Sequence, residues 1–218
     1  MVDIDEIVRS LASHRPKLLD DRARRHAAVA MILRAGRGGD VPEVLFIERA
    51  RHADDPWSGH MAFPGGRVEA HDPHVRAAAE RETREEVGLD LARAHHVGRL
   101  DDLPGRGAAK EHGLVISGHV YVWEGDAPIE VETREVQQAF WFPLAKPPEP
   151  ERHVPHTYSC AAMQFPRTLF CRPGRHVVWG LTYRFIETFF GIVGRPLPPR
   201  WDFDRDALMA ADERAADR

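Results

Sequence analysis

Residues Gly65–Leu89 read GGRVEAHDPHVRAAAERETREEVGL. Asp72 followed by Pro73 predicts a helix start, with Asp as N-cap and Pro at the first helical position. Gly88 predicts its end, so the helix is expected from about Asp72 to Val87. At about 100° per residue, Glu82, Glu85 and Glu86 share one stripe with Val75, Ala78 and Ala79, while Glu80 and Arg84 lie opposite. A surface helix ordinarily keeps its carboxylates away from the apolar stripe. Here the carboxylates continue it, so something must neutralise them. A hard divalent cation, Mg²⁺ or Mn²⁺, takes oxygen ligands of this kind. Arg81, four residues before Glu85, offsets part of the charge. A solvated Glu/Arg helix is the plain alternative, and the Gly65-Gly66 bend just upstream weighs against it.

Outward from this segment the chain alternates strands and helices. Ala27–Leu33 and Val44–Ile47 are apolar runs that predict two buried strands. The turn cluster Gly36, Gly38, Gly39 and Asp40 joins them. That cluster matches neither G-x-G-x-x-G nor a P-loop, and it reads as a turn. Met61–Gly66 predicts a short strand ending in a sharp bend. Further strands are expected at Val97–Leu103, Leu114–Trp123, Ala139–Phe142 and Tyr158–Phe165, with a Pro-rich loop over 143–155. Val177–Val193 predicts a helix, and Asp3–Leu19 a short amphipathic one broken near Pro16. A mixed α/β layered domain follows. The expected division is an N-terminal helical extension over 1–24, a central domain over 25–195 and a charged tail over 196–218.

The whole chain has 218 residues, with 30 Lys+Arg against 34 Asp+Glu and a net charge of −4. A small acidic excess argues against a general nucleic-acid binder but not against an anionic small molecule. Only Lys17, Lys110 and Lys146 are lysines, and every other basic residue is arginine. Composition alone assigns that bias to genomic base content before phosphate recognition. Cys160 and Cys171 are too few for a disulfide scaffold; a single bridge stays open, and a reduced, cytoplasmic protein is expected. No apolar run predicts a membrane span, and Met1–Asp20 lacks the layout of a signal peptide. The 13 histidines show no metal-ligand spacing, and His95 and His96 should point to opposite faces.

Arg81-Glu82-Thr83-Arg84-Glu85-Glu86-Val87-Gly88-Leu89 resembles the signature of the Nudix hydrolases. Eight of its nine places match, with Thr83 where an aliphatic residue is usual. Gly66 and Asp72 keep the five-residue gap, and eight residues rather than the common seven separate Asp72 from Arg81, which leaves Asp72 either a helix cap or a contributor to the metal site. The resemblance implies an α/β/α sandwich with a mixed β-sheet. It also implies metal-dependent hydrolysis of a nucleoside diphosphate linked to another group. Glu82, Glu85 and Glu86, with the Gly65 carbonyl, would ligate Mg²⁺ or Mn²⁺. Glu82 could instead assist the attacking water, and Arg81 would orient the glutamates. Several relatives add an acidic residue from a later loop. Among Glu130, Glu132 and Glu135, Glu135 ranks first as a catalytic group. A homodimer is a family-level expectation.

Two stretches resemble the coenzyme A pyrophosphatase branch: Leu45–Ala50 leading through Gly59–Gly66, and Val178-Trp179-Gly180-Leu181-Thr182. Asp54 and Asp55 stand where that branch carries a basic residue, although the CoA 3′-phosphate favours a cation. Arg49, Trp57 and Arg67 are the candidate substrate contacts, Trp57 as a base-stacking group. Phe63, Trp179, Phe185, Phe189 and Phe190 read mainly as core. CoA or a CoA derivative is the expected substrate. A nucleotide sugar, ADP-ribose, a dinucleotide or a nucleoside triphosphate are alternatives, as is a non-catalytic nucleotide sensor.

Overall fold

The computed structural model describes residues 3–19, 25–36, 41–52, 58–105, 113–149, 152–158, 163–170 and 176–198. Trp57, Asp54, Asp55, the two cysteines and nearly all of the charged tail lie outside them.

Strand β1 (Arg25–Arg34) is the axis of the molecule. Its even-numbered residues Ala28, Ala30 and Ile32 bury against one core, and its odd-numbered Ala27, Met31 and Leu33 against another. This period of two makes a sheet with both faces covered. One edge of β1 pairs in parallel with β7 (Leu114–Val122) along nearly its whole length, from Arg25↔Leu114 to Leu33↔Val122. The other edge is divided. At its far end Leu33 and Arg34 pair with β2 (Glu43–Arg49), while at its start Ala27–Val29 pair with β4 (Gly65–Arg67). Short β3 (Met61–Ala62) and β8 (Val136–Pro143) also pair with β2, and β5 (His95–Arg99) and β6 (Leu103–Pro104) share the remaining edge of β7. Together these form one mixed eight-stranded sheet.

Helix α2 (Val75–Val87) covers one face, packing Ala78, Ala79 and Val87 against Ala28, Ile32, Leu45 and Tyr121. Helices α1 (Ile4–Ser13) and α3 (Gly180–Ile192) cover the other. Ile7 and Leu11 join Phe185, Ile186 and Phe189 over Met31, Phe46 and Val120. The architecture is the expected α/β/α sandwich.

Several elements depart from their sequence reading. Val97–Leu103, expected as one strand, is divided between β5, which ends at Arg99, and β6, which starts at Leu103. Helix α2 starts at Val75 with His74 as N-cap, whose Nδ1 accepts from the Ala77 N–H at 3.0 Å. Asp72 does not cap it, because its carboxylate is committed to Arg81. The stretch expected as one strand over Tyr158–Phe165 spans parts of two strands, β9 (His153–Tyr158) and β10 (Met163–Phe170), which pair antiparallel. The expected C-terminal helix is first a strand, β11 (His176–Trp179), and turns helical only at Gly180, where φ is +61°. The β-branched pair Val177-Val178 suits a strand, and Gly180 is free to make the turn.

Candidate active site

The divided edge of β1 places a Gly-Gly corner beside the C-terminal half of α2. Ala30 N–H donates to the Pro64 carbonyl at 2.8 Å, and Gly65 and Gly66 then run back along β1. Gly65 has φ +149°, and a Cβ there would stand 2.2 Å from the Ala28 carbonyl oxygen. Only glycine fits so close an approach. The Gly65 N–H donates to Glu86 Oε2 at 2.9 Å. A Cβ on Gly66 would lie 2.2 Å from Glu82 Oε1. The corner is therefore a seat for two carboxylates, one held by an N–H and one lying where a side chain would otherwise project.

A third carboxylate arrives from the opposite edge. Between β2 and β8 the register shifts: Glu48 pairs with Gln138 but Arg49 with Val136. Such a bulge re-aims the residues around it. Just before it, Glu135 closes a turn with its N–H on the Glu132 carbonyl at 3.0 Å, and its own carbonyl accepts from Ala50 N–H at 2.8 Å. This brings the Glu135 carboxylate to Glu82 and Glu86, with one oxygen of each within 4.8 Å of the others.

The electrostatics of the three are unfavourable without a cation. Glu86 is 3% exposed, and burial pushes its carboxyl up to about pKa 8. Glu82 and Glu135 push it further in the same direction, while the Gly65 N–H and Arg49 pull against it. Burial likewise raises Glu82, against the pull of Arg81. Three oxygen donors at one point, one buried and underneutralised, fit a hard divalent cation.

Arg81 is the bracket of the site. Its Nε and Nη2 donate to the two Asp72 oxygens, both at 3.2 Å, and Nη2 also reaches the Arg67 carbonyl at 3.0 Å. Its Nη1 donates to Glu82 Oε1 and Glu85 Oε2, each at 3.0 Å. Asp72, pulled below the usual carboxylate range by this guanidinium, is locked in turn by the Glu69 N–H at 2.8 Å.

The expected residues are thus sorted by place. Glu82, Glu86, Glu135 and Gly65 come together, Arg81 adjoins them, and Arg49 stands close enough to act on the Glu86 charge. Glu85 does not join the cluster; its side chain is 52% exposed on the far side of Arg81. The buried face of α2 centres on Ala79, Thr83 and Glu86, which turns Glu85 outward. Arg67 is exposed at the end of β4, and what it contributes to the site is its carbonyl. Thr83 fills the aliphatic place of the signature fully buried, its hydroxyl satisfied by the Ala79 carbonyl at 2.7 Å. Sequence reading missed the grip of Asp72 on Arg81, because the Asp-Pro pair and the signature pointed only to a helix cap or a metal contribution.

The sequence profile of the NUDIX domain matches residues 24–162. The chain belongs to the Nudix hydrolase family. Mitochondrial coenzyme A diphosphatase NUDT8 from Homo sapiens is 32% identical over 162 residues, covering 72% of this chain and 64% of that protein. An uncharacterized protein from Schizosaccharomyces pombe, C14C4.10c, is 34% identical over 155 residues, covering 62% of this chain but 46% of its own length. The chain therefore spans less than two thirds of either relative. The Nudix fold is matched by a MutT/nudix family protein from Enterococcus faecalis, with TM-score 0.53 at 16% identity, over 88% of this chain and 70% of that one. Among the described residues no helix of this Nudix protein is long and apolar enough to cross a membrane.

Proposed function

We propose that this Nudix protein is a divalent-metal-dependent pyrophosphohydrolase that cleaves the diphosphate of CoA or a CoA derivative. The observation that carries the chemistry is the meeting of Glu82, Glu86 and Glu135 at the Gly65-Gly66 corner. The choice of substrate rests on the likeness to the human protein named as a coenzyme A diphosphatase, and on the two stretches that resemble that branch.

Glu82, Glu86 and Glu135 would hold Mg²⁺ or Mn²⁺, with the Gly65 carbonyl and Glu85 as further candidate donors. A cation bound there supplies Lewis acidity and offsets the charge of a diphosphate. Glu135, the exposed member of the trio, would take a proton from the attacking water. Arg49 offers a cation to a phosphate oxygen beside Glu86. Arg81 does not meet substrate in this scheme; it fixes Glu82 against Asp72 and keeps the carboxylate in one geometry. Trp57 and Arg67 remain candidate substrate contacts. Cytoplasmic residence and a homodimer belong to the same proposal, and fractionation and light scattering test them.

The test is turnover with Mg²⁺ or Mn²⁺ on a panel containing CoA, ADP-ribose, a UDP-sugar, NADH, a dinucleoside polyphosphate and nucleoside triphosphates, with products identified by mass. The expected result is cleavage of CoA at the diphosphate, faster than of any other compound. Metal-independent binding without turnover would instead make the chain a sensor.

A further inference from the structure

Of the three clustered carboxylates, Glu82 and Glu86 ride on α2, whereas Glu135 sits in the turn ahead of β8. No helix sets the direction of a turn residue's side chain. That direction follows from the two rigid peptide planes that meet at its Cα, each carrying one N–H and one carbonyl by which it can be fixed. At Glu135 all four of these groups are held. The Glu135 N–H donates to the Glu132 carbonyl at 3.0 Å, and the Val136 N–H donates to the same oxygen at 2.8 Å. The Glu135 carbonyl accepts from the Ala50 N–H at 2.8 Å. The Arg134 carbonyl accepts from a ring nitrogen of His52 at 2.6 Å. The first three partners are backbone groups, which almost any sequence supplies. The fourth depends on one side chain.

His52 is itself held in place. The Ser58 hydroxyl accepts from the His52 N–H at 2.8 Å and donates to the His52 carbonyl at 2.7 Å, which pins the chain just past β2. Because a carbonyl only accepts, the ring nitrogen at Arg134 carries a proton, as it does in one neutral tautomer and in the imidazolium. The turn is also fastened to the helix. The Glu132 N–H donates to the Glu86 carbonyl at 3.0 Å, and the Glu130 N–H to the Val87 carbonyl at 3.1 Å. The turn thus hangs between α2, which carries the other two carboxylates, and the end of β2, which leads to His52. The fold does not need the histidine: His52 and Arg134 are both exposed, so water can satisfy the carbonyl once the ring is gone. What is lost then is the direction of the peptide. A misplacement of about 1 Å in a reacting group costs on the order of 10²-fold in rate.

We infer that His52 is a positioning residue for the hydrolytic site: its ring fixes the peptide between Arg134 and Glu135 and so aims the Glu135 carboxylate at Glu82 and Glu86. The inference rests on the hydrolase reading above, in which Glu135 is a metal donor and takes the proton of the attacking water. It adds a residue from outside the signature helix, one that meets neither metal nor substrate and acts through Glu135 alone.

A double-mutant cycle tests it, with wild type, His52→Leu, Glu135→Gln and the double variant, and with His52→Gln as the rescue. Two quantities are read: steady-state kinetics on CoA at saturating Mn²⁺, and calorimetric titration of Mn²⁺ without substrate. His52→Leu is expected to lower kcat at least tenfold with KM within threefold of wild type, to weaken Mn²⁺ binding at least threefold, and to leave the melting temperature nearly unchanged. In the Glu135→Gln background the same change should cost less than twofold in either quantity, because the carboxylate it aims is gone. His52→Gln, whose amide places an N–H near the position of the ring donor, should recover kcat to within threefold of wild type. Unchanged kcat and Mn²⁺ affinity in His52→Leu overturn the inference. So does an undiminished loss in the Glu135→Gln background, or a His52→Gln variant as impaired as His52→Leu. If wild type cleaves no compound, the hydrolase reading fails and Mn²⁺ affinity alone decides: weaker binding in His52→Leu, absent from the Glu135→Gln background, upholds the positioning role. If Glu135→Gln behaves as wild type in both quantities, Glu135 leaves the site and the role of His52 falls with it.

Discussion

The side chain that Gly66 lacks leaves room for the Glu82 carboxylate. A Cβ there would stand 2.2 Å from Glu82 Oε1, while the backbone keeps an ordinary φ. Gly66→Ala should therefore fold and displace only the far end of Glu82. Because small misplacements of reacting groups cost about 10²-fold in rate, activity is expected to drop by that order with a nearly unchanged melting temperature. Steady-state kinetics beside a thermal melt checks both halves. Glu86 supplies a second prediction at this scale. In metal-free protein its pKa is about 8 against an ordinary 4.5, so the folded state holds a proton that the unfolded state has lost between those values. Its contribution makes stability fall as pH rises from about 4.5 to about 8, and Glu86→Gln should abolish that slope in EDTA. Glu82 and Glu86 were legible in the sequence because their spacing set them on one stripe with small apolar residues. Glu85 shared the stripe on paper but not in the fold, since the buried face is set by Ala79 and Thr83 against the sheet.

At the scale of elements, the loop before α2 and the helix itself are joined by one ion pair. Asp72 uses both oxygens on Arg81, and Arg81 spends its remaining donors on Glu82, Glu85 and the Arg67 carbonyl. Asp72→Ala should cost about 1.5–3 kcal/mol in denaturant unfolding, as expected for hydrogen bonds to a charged group. It should also lower kcat, because Glu82 loses its brace. The Asp-Pro pair concealed this, since its local chemistry is that of a cap and the partner lies nine residues away. A distant claim on a side chain overrides its local preference, and His74 takes the vacated cap. The strand that precedes α3 was hidden for a similar reason: an apolar run has no period that separates a buried strand from a buried helix. Helix α1 gives a contrasting prediction. Leu11 is 3% exposed and packs in the core shared with α3, so Leu11→Ala should cost about 2–5 kcal/mol while leaving metal affinity intact.

In the whole molecule these groups set opposing pH limbs. His119, in β7, is held down to about pKa 3 by burial and by the neighbouring His96 and Arg99. The unfolded chain takes up its proton near 6.5, so stability falls as pH drops from about 6.5 to about 3. Asp72 adds to that acid limb, and Glu86 shapes the alkaline one. Metal-free protein should therefore be most stable between about pH 4.5 and 6.5, where the two slopes offset each other. Thermal melts in EDTA across that range check the plateau, and His119→Gln should flatten its acid side. The layered fold was readable from strand patterning and one helix. The division of a single β1 edge between β2 and β4 was not, although it creates the corner where the carboxylates meet. Pairing partners are a property of the assembled sheet, and short segments such as Gly65–Arg67 carry little pattern of their own. The proposed chemistry requires that corner to hold a cation through Glu86. The direct measurement is calorimetric titration of Mn²⁺ at pH 7 in two buffers of different ionisation enthalpy, on wild type and Glu86→Gln. Wild type should bind Mn²⁺ with release of a proton, and Glu86→Gln should bind at least tenfold more weakly and release none. Undiminished Mn²⁺ binding by the variant, with the same proton release, would contradict it.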